Sequence, residues 1–286
     1  MLCRLIERNL DCVRRRFYIP LLLMLLVFAV RQPVWGQPSS AAVAAFDVYT
    51  AKLESRLGQQ HRSTADFLAP ATSDTVTETA RLQSGDPIIE RLTPSTGTEV
   101  SGSLLHHWRG TAFVPGAKAA DFEHVMQDFH AYPERFSPQI VEAKLISRSG
   151  DRMQAHMRVR QKHVITVVMD TTYDIIYGRL DAQHGYSISR STRIREIASP
   201  GTPSEHPLNP GEEHGFLWRL NTYWSYEEKD GGLYLQIEAV SLTRSIPHGL
   251  AWAIGPYIES IPRESLEFTL RSTCNALRPP QKGHQG

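Results

Sequence analysis

The chain has 286 residues, with 31 Lys and Arg against 30 Asp and Glu, and 41% of it is hydrophobic. That length and apolar fraction suit one sizeable domain with an extension and exclude wholesale disorder, while a formal charge of +1 leaves no strong footprint for nucleic acid. Three cysteines make no disulfide framework, and no nucleotide loop, zinc-ligand spacing or nucleophile elbow occurs.

Residues 1–36 are expected to form a secretory signal peptide, or a membrane anchor if uncleaved. Arg14, Arg15 and Arg16 precede an apolar run from Phe17 to Val30, and Val34-Trp35-Gly36 offers small residues at a cleavage position. The run is shorter than the roughly 20 residues of a spanning helix. Without this segment the chain has 25 basic against 28 acidic residues and keeps only Cys274. Export is therefore expected, to a bacterial periplasm given the lack of disulfides and of Asn-x-Ser/Thr sites. No nucleic-acid partner is expected.

Residues 37–96 read as a helical extension and linker. Val43, Phe46, Tyr49, Leu53 and Leu57 recur at helical spacing over 37–58, which predicts a helix docked on the main domain. Residues 59–80 look like a polar linker pinned by Phe67 and Leu68. Gly85-Asp86-Pro87 is a turn before a short strand at 88–92.

From residue 97 long alternating strands begin. Leu104, His106, Trp108, Ala112 and Val114 share one face of the first, and 117–129 is helical, with Phe122, Val125, Met126 and Phe129 in its stripe. Strands follow at 141–148, 152–160, 164–177 and 186–197. In the second of these Met153, Ala155, Met157 and Val159 form a dry face, and in the third Ile165, Val167, Met169, Tyr173, Ile175 and Tyr177 are in step. A Pro-rich loop over 199–214 is long enough to suggest mobility or a place at an opening.

The hairpin from Gly215 to Arg244 turns at Asp230-Gly231. Counting back from the turn pairs Trp224 with Ile237, Thr222 with Ala239, and Leu220 with Ser241. Trp218 is placed on that same face; Arg219, Tyr223 and Glu238 fall on the other. A helical turn at 249–254, carrying Leu250, Trp252 and Ile254, is expected to break at Gly255-Pro256 and to serve as an apolar lip. A terminal helix follows over 262–277 with Leu266, Leu270, Thr273 and Leu277 buried. Residues 279–286 are expected to be a disordered tail.

This order is α+β. The segments Asp121-Phe122 through Tyr132-Pro133, the 215–244 hairpin, and Ile261-Pro262-Arg263-Glu264-Ser265-Leu266 resemble the START-like (SRPBCC) superfamily of polyketide cyclases, aromatases and lipid-transfer domains. The resemblance spans roughly residues 97–278. It implies a helix-grip fold, a curved antiparallel sheet of about six to seven strands wrapped around the long C-terminal helix, with a central cavity for an apolar or amphipathic molecule. It carries over no catalytic residue.

On that fold the expected lining is Met153, Met157, Ile165, Val167, Met169, Trp218, Leu220, Trp224, Ile237, Trp252, Leu266 and Leu270. Arg219, Tyr223 and Glu238 are a candidate polar anchor if their face turns inward. His106 and His107 point to opposite faces and cannot readily share a metal. His124 and Asp128 read as a solvated helix face, and Asp170 and Asp174 as a solvated strand face. No metal and no cofactor are expected. The leading expectation is an exported domain that binds a lipid or other apolar small molecule, with membrane contact through the N-terminal segment or the 249–258 lip. The alternatives are a cyclase- or hydrolase-type enzyme using polar residues of the same cavity, and an envelope interaction protein with a filled core.

Overall fold

Strong period-2 patterning over most of the chain produces one antiparallel sheet. The computed structural model describes residues 36–70, 75–93, 98–162, 166–245 and 251–278, with backbone alone at 75–76 and 251–259. The expected leader over 1–35, the tail over 279–286, and Leu250 and Ile165 lie outside the described residues.

The strands are β1 Ile88–Arg91, β2 Thr98–Val100, β3 Ser103–Pro115, β4 Ile140–Ser149, β5 Arg152–Lys162, β6 Thr166–Arg179, β7 His184–Ala198, β8 His206–Pro207, β9 Arg219–Lys229 and β10 Gly232–Arg244. Their order is β1-β3-β10-β9-β7-β6-β5-β4, with β2 on β3 and β8 on β7. The helices are α1 Ser40–Gln60, α2 Thr75–Gln83, α3 Ala119–Gln127, α4 Tyr132–Arg135 and α5 Ala251–Leu277. The architecture is α+β and helix-grip, with ten strands rather than six or seven because short β1, β2 and β8 join the sheet. Among the described residues no helix is long and apolar enough to cross a membrane.

The β9–β10 hairpin has the register expected from its turn. Trp224 is opposite Ile237, Thr222 opposite Ala239, and Leu220 opposite Ser241. Asp230 and Gly231 take φ values of 55° and 73°, the pair of left-handed conformations that a two-residue turn needs to match strand twist.

The sheet buries both of its faces. On one lies α5, whose Leu266, Leu270, Cys274 and Leu277 pack with Trp108, Ala112 and Val114 of β3 and Leu235 and Ile237 of β10. Phe268 of the same helix packs against the cluster that holds Met153, Tyr173 and Ile175 of the far strands β5 and β6. One helix thus touches both ends of the sheet, which must bend around it. Gly110 of β3 makes the close approach possible, since a Cβ there would stand 2.7 Å from Leu266 Cδ2.

α1 covers the opposite face. Ser39 caps it, its Oγ accepting from Ala42 N at 3.1 Å, and Ala42, Phe46, Leu53 and Leu57 pack on Leu105, Tyr223, Val240 and Leu242.

Two expectations are corrected. The segment read as a linker over 59–80 contains the start of α2, which leads into β1; β1 then adds to the sheet beside β3. No break occurs at Gly255-Pro256, and Pro262 lies within α5 rather than at its start. Each proline removes one backbone donor. The helix persists because the docking of its later turns, more than local propensity, holds it.

Candidate functional site

A cavity of about 240 Å³ lies between α5 and the sheet. Strand alternation builds its walls: Met157 and Val159 of β5, Tyr173, Ile175 and Tyr177 of β6, Leu220 and Trp224 of β9, and Ile237 of β10. Trp108 of β3 joins them, Met126, Tyr132 and Phe136 supply the α3–α4 side, and Ile261, Leu266 and Phe268 of α5 close it.

The tyrosines turn rings to this space and bury their hydroxyls. Tyr132 and Tyr177 both donate to Met126 O, at 2.6 and 3.1 Å. Burial pushes both hydroxyls well above the usual tyrosine range and lifts Tyr173 to about 12. All three are therefore neutral in ordinary buffers.

The polar part of the lining consists of hydroxyls and amides. Ser187 and Ser189 come from β7, Thr222 from β9, Ser241 and Thr243 from β10. Gln161 Nε2 donates to Ser265 Oγ at 2.9 Å, and Thr269 Oγ1 donates to Ser265 O at 2.9 Å. Among the described lining residues there is no Asp, Glu, Lys, Arg or His.

Of the residues named from the sequence, Met157, Leu220, Trp224, Ile237 and Leu266 are in the lining. Met153 is buried behind it, with Phe129, Phe136 and Tyr177. Leu270 is buried in the helix–sheet seam. Val167 and Met169 lie nearer the start of β6, where the lining begins only at Tyr173. The side chain of Trp252 is not described.

Trp218 is on the other side of the sheet. It precedes β9, so strand alternation does not reach it; it packs under α1 and its Nε1 donates to Gly36 O at 3.1 Å. The expected polar anchor is on that side too. Tyr223 donates to Glu54 Oε1 at 3.1 Å, and Glu238 accepts from Arg56 at 2.7 and 2.6 Å with His107 Nε2 2.9 Å away. Arg219 donates to Trp218 O at 3.2 Å; it stands opposite Leu242 and makes no pair with Glu238. Tyr223 and Glu238 pin α1 to the sheet, and none of the three is in the cavity lining.

His106 and His107 point to opposite faces, and both are buried. His107 belongs to the α1 cluster, with the Tyr49 hydroxyl 2.9 Å from its Nδ1. His106 is on the cavity side, opposite Ser241. Burial, aided by the charge of Arg91, lowers its pKa to about 4. Its Nε2 has no hydrogen-bond partner, and neither has Trp108 Nε1.

Asp170 binds Arg158 at 2.7 and 2.9 Å, exposed Asp174 accepts from Gln154 at 2.9 Å, and Asp128 pairs with Arg135 at 3.0 Å. Among the described residues no three His, Cys, Asp or Glu side chains group to hold a metal. Cys274 is buried, which pushes its thiol up to about 11 and leaves it unreactive.

The 199–214 loop ends beside the cavity, where Phe216 and Leu217 join the lining. Glu196 fixes that end, accepting from the backbone N of His214, Gly215 and Phe216 at 2.9, 2.9 and 3.1 Å. Sequence reasoning missed Tyr132, Phe136, Ser187 and Ser189 as lining. The small hydroxyls of β7, opposite Trp224 and Thr222 in register, were the available signal.

Solved structures of similar fold include a STAR-related lipid transfer protein (fragment 25–204) from Xanthomonas axonopodis, at 17% identity over 64% of this chain and 97% of that one, with a TM-score of 0.43. Human STARD10 matches at 10% identity over 71% of this chain and 80% of that one, with a TM-score of 0.41. The di-domain ARO/CYC StfQ from the steffimycin biosynthetic pathway matches at 12% identity over 60% of this chain and 51% of that one, with a TM-score of 0.41. No family model and no curated protein matches the sequence. Likenesses of this degree stand beside the geometry and carry none of the functional reading.

Proposed function

We propose that this chain is an exported START-like domain that carries an apolar small molecule in the cavity under α5. The observation that supports this most directly is the void itself: about 240 Å³ walled by Trp108, Trp224, Phe136, Phe268 and three tyrosine rings. An apolar pocket of this size leaves aromatic surface against water that a ligand would cover. Desolvation drives binding. Scaling from the roughly 150 Å³ cavity that admits benzene, this one admits about ten heavy atoms. At about 0.7 kcal/mol per atom that gives a dissociation constant on the order of 10 μM.

Carriage is preferred over catalysis because the described lining offers hydroxyls and amides, whereas proton transfer calls for a group titrating near the working pH. The ionisable cluster of Glu238, His107 and Arg56 is on the far side of the sheet. Export follows from the leader read in the sequence, and membrane contact through that leader or the 249–258 segment is part of the same proposal.

Native mass spectrometry of the protein from the exported fraction, purified without detergent, tests the reading. A discrete mass released by organic extraction is expected, and its release followed by rebinding would establish the carrier. A clean apo mass together with no binding of any apolar compound would reject it.

A further inference from the structure

Strand β4 ends the sheet, and among the described residues no strand pairs with its outer side. Along it Val141, Leu145 and Ile146 are 37%, 43% and 49% exposed, three of the seven exposed large hydrophobic residues among those described. An apolar, unpaired edge is a template for another strand. The backbone is free at the same place. Thr171 Oγ1 donates to Met157 O at 2.8 Å, so that carbonyl points to β6. Arg160 N donates to Gln139 O at 2.7 Å, so that amide points to the β4 side. These directions alternate along a strand. Ala143 stands opposite Met157 and therefore turns its own N–H and C=O away from β5, to the open edge.

We infer that two copies of this chain join edge to edge through β4, antiparallel and centred on Ala143. A two-fold axis perpendicular to the sheet keeps each face on its own side, so the centre falls on a residue and never between two. Bulges at Val141 and Ile146 confine regular pairing to residues 142–145. Centred on Glu142 or on Lys144, the pairing would set like charges opposite each other, which destabilises it. Centred on Leu145, it would set Lys144 against a bulged, apolar Ile146. Centred on Ala143, it sets Glu142 opposite the partner subunit's Lys144, and symmetry makes that ion pair twice. Both side chains are exposed on one face, opposite Arg158 and His156 of β5. Neither has a side-chain hydrogen bond or ion pair to another described residue. The same register brings Val141 beside the partner subunit's Leu145 at each end, and the two Ala143 residues exchange N–H···O bonds. A lysine on an edge repels most foreign strands, whereas a second copy supplies the matching carboxylate. Pairing over so few residues makes a weak, reversible dimer, with a dissociation constant on the order of 100 μM.

The test is sedimentation velocity of the full-chain protein from about 5 to 500 μM. A shift from monomer toward dimer with rising concentration is expected. Ala143→Pro removes the donor at the centre and costs no bond within the protomer; it should weaken dimerisation at least about tenfold. Glu142→Lys should weaken it at least about fivefold, and adding Lys144→Glu to that variant should restore it, a rescue that does not depend on the proline variant folding. A protein that stays monomeric up to about 500 μM would overturn the inference. A dimer indifferent to both Ala143→Pro and Glu142→Lys would overturn the β4 edge as the contact. Dimerisation lost in Glu142→Lys and not regained in the double variant would overturn the register centred on Ala143.

Discussion

Arg56 and Glu238 meet through two hydrogen bonds of 2.7 and 2.6 Å, although 182 residues separate them in the chain. Arg56 is partly exposed on α1, while Glu238 is buried on the central strand β10 and also faces His107 at 2.9 Å. This carboxylate is one of two charged ties between the N-terminal helix and the sheet, the other being Glu54 with Arg190 at 2.7 and 2.6 Å. Burial pushes the Glu238 pKa upward, but the hydrogen bond from His107 and the charge of Arg56 outweigh it and hold the group below the usual glutamate value.

Removing that carboxylate strands its partners. Glu238→Ala is expected to destabilise the protein by about 3 kcal/mol, and Glu238→Gln by less, read as the shift of the urea midpoint. An unchanged midpoint in Glu238→Ala would mean that the apolar stripe of α1 and the tie of Glu54 to Arg190 hold it. Because the folded pKa is depressed, this tie is fully present above the unfolded carboxyl pKa. It is lost as pH falls through the lower folded value.

A second acid sensitivity lies higher on the pH scale. His61 is buried between Phe67 and Tyr186 with its Nε2 2.7 Å from Ser225 Oγ; burial and then the charge of Arg56 lower its pKa to about 4, against an opposing pull from Glu238. His106 is lowered to about 4 as well. Between about pH 6.5 and 4 the unfolded chain therefore binds protons that the folded protein refuses, so stability is full above 6.5 and falls as pH drops through that window. The two groups together are expected to remove several kcal/mol, roughly half of it from each. Urea midpoints measured from pH 7.5 to 4.5 should fall, and His106→Gln should flatten the slope by about half. A wild-type midpoint that stays level over this range would show that both rings protonate freely in the fold.

At Gly110 the C-terminal helix packs directly on the sheet. A Cβ would meet Leu266 Cδ2 at 2.7 Å, with Ile89 Cδ1 and Leu270 Cδ2 each at 3.1 Å. Gly110→Ala is expected to cost about 1–3 kcal/mol, which lowers the melting temperature by roughly 2–4 °C per kcal/mol at this size. The same change at Gly150, where nothing lies within 4 Å but φ is 59°, should cost about 1 kcal/mol through backbone strain alone. Equal melting temperatures for wild type and Gly110→Ala would show that α5 can shift outward freely.

Filling the cavity should separate binding from stability. Ala239 lines it between Thr222 and Trp108. Ala239→Leu is expected to hold or raise the melting temperature, because the added side chain occupies existing void. It should also weaken binding of an apolar ligand at least about tenfold. Retained affinity in a folded Ala239→Leu protein would place the ligand elsewhere.

Local chemistry made much of the frame legible in the sequence. Asp230-Gly231 set the turn, and the turn set every pair from Trp224–Ile237 to Leu220–Ser241, because hairpin register is a local property. Helical spacing placed Phe46, Leu53 and Leu57 on one face of α1 and Leu266 and Leu270 on one face of α5. Element order was enough for the α+β class, and the helix-grip arrangement came with the resemblance to the START-like superfamily. What the pattern could not supply was which hairpin face looks at α5. Leu233 through Glu238 are buried on both faces, so the usual contrast between a dry and a wet side vanishes in β10. Glu238 reads as a solvent-facing or ligand-facing group until α1, far upstream in the chain, supplies Arg56 to cover it. Trp218 changes sides because the strand begins one residue after it. The tyrosines of the cavity look like ordinary core until the bend of the sheet leaves a void beneath α5. Periodicity is a property of neighbours in sequence, whereas inside, outside and empty space are decided only when distant segments pack.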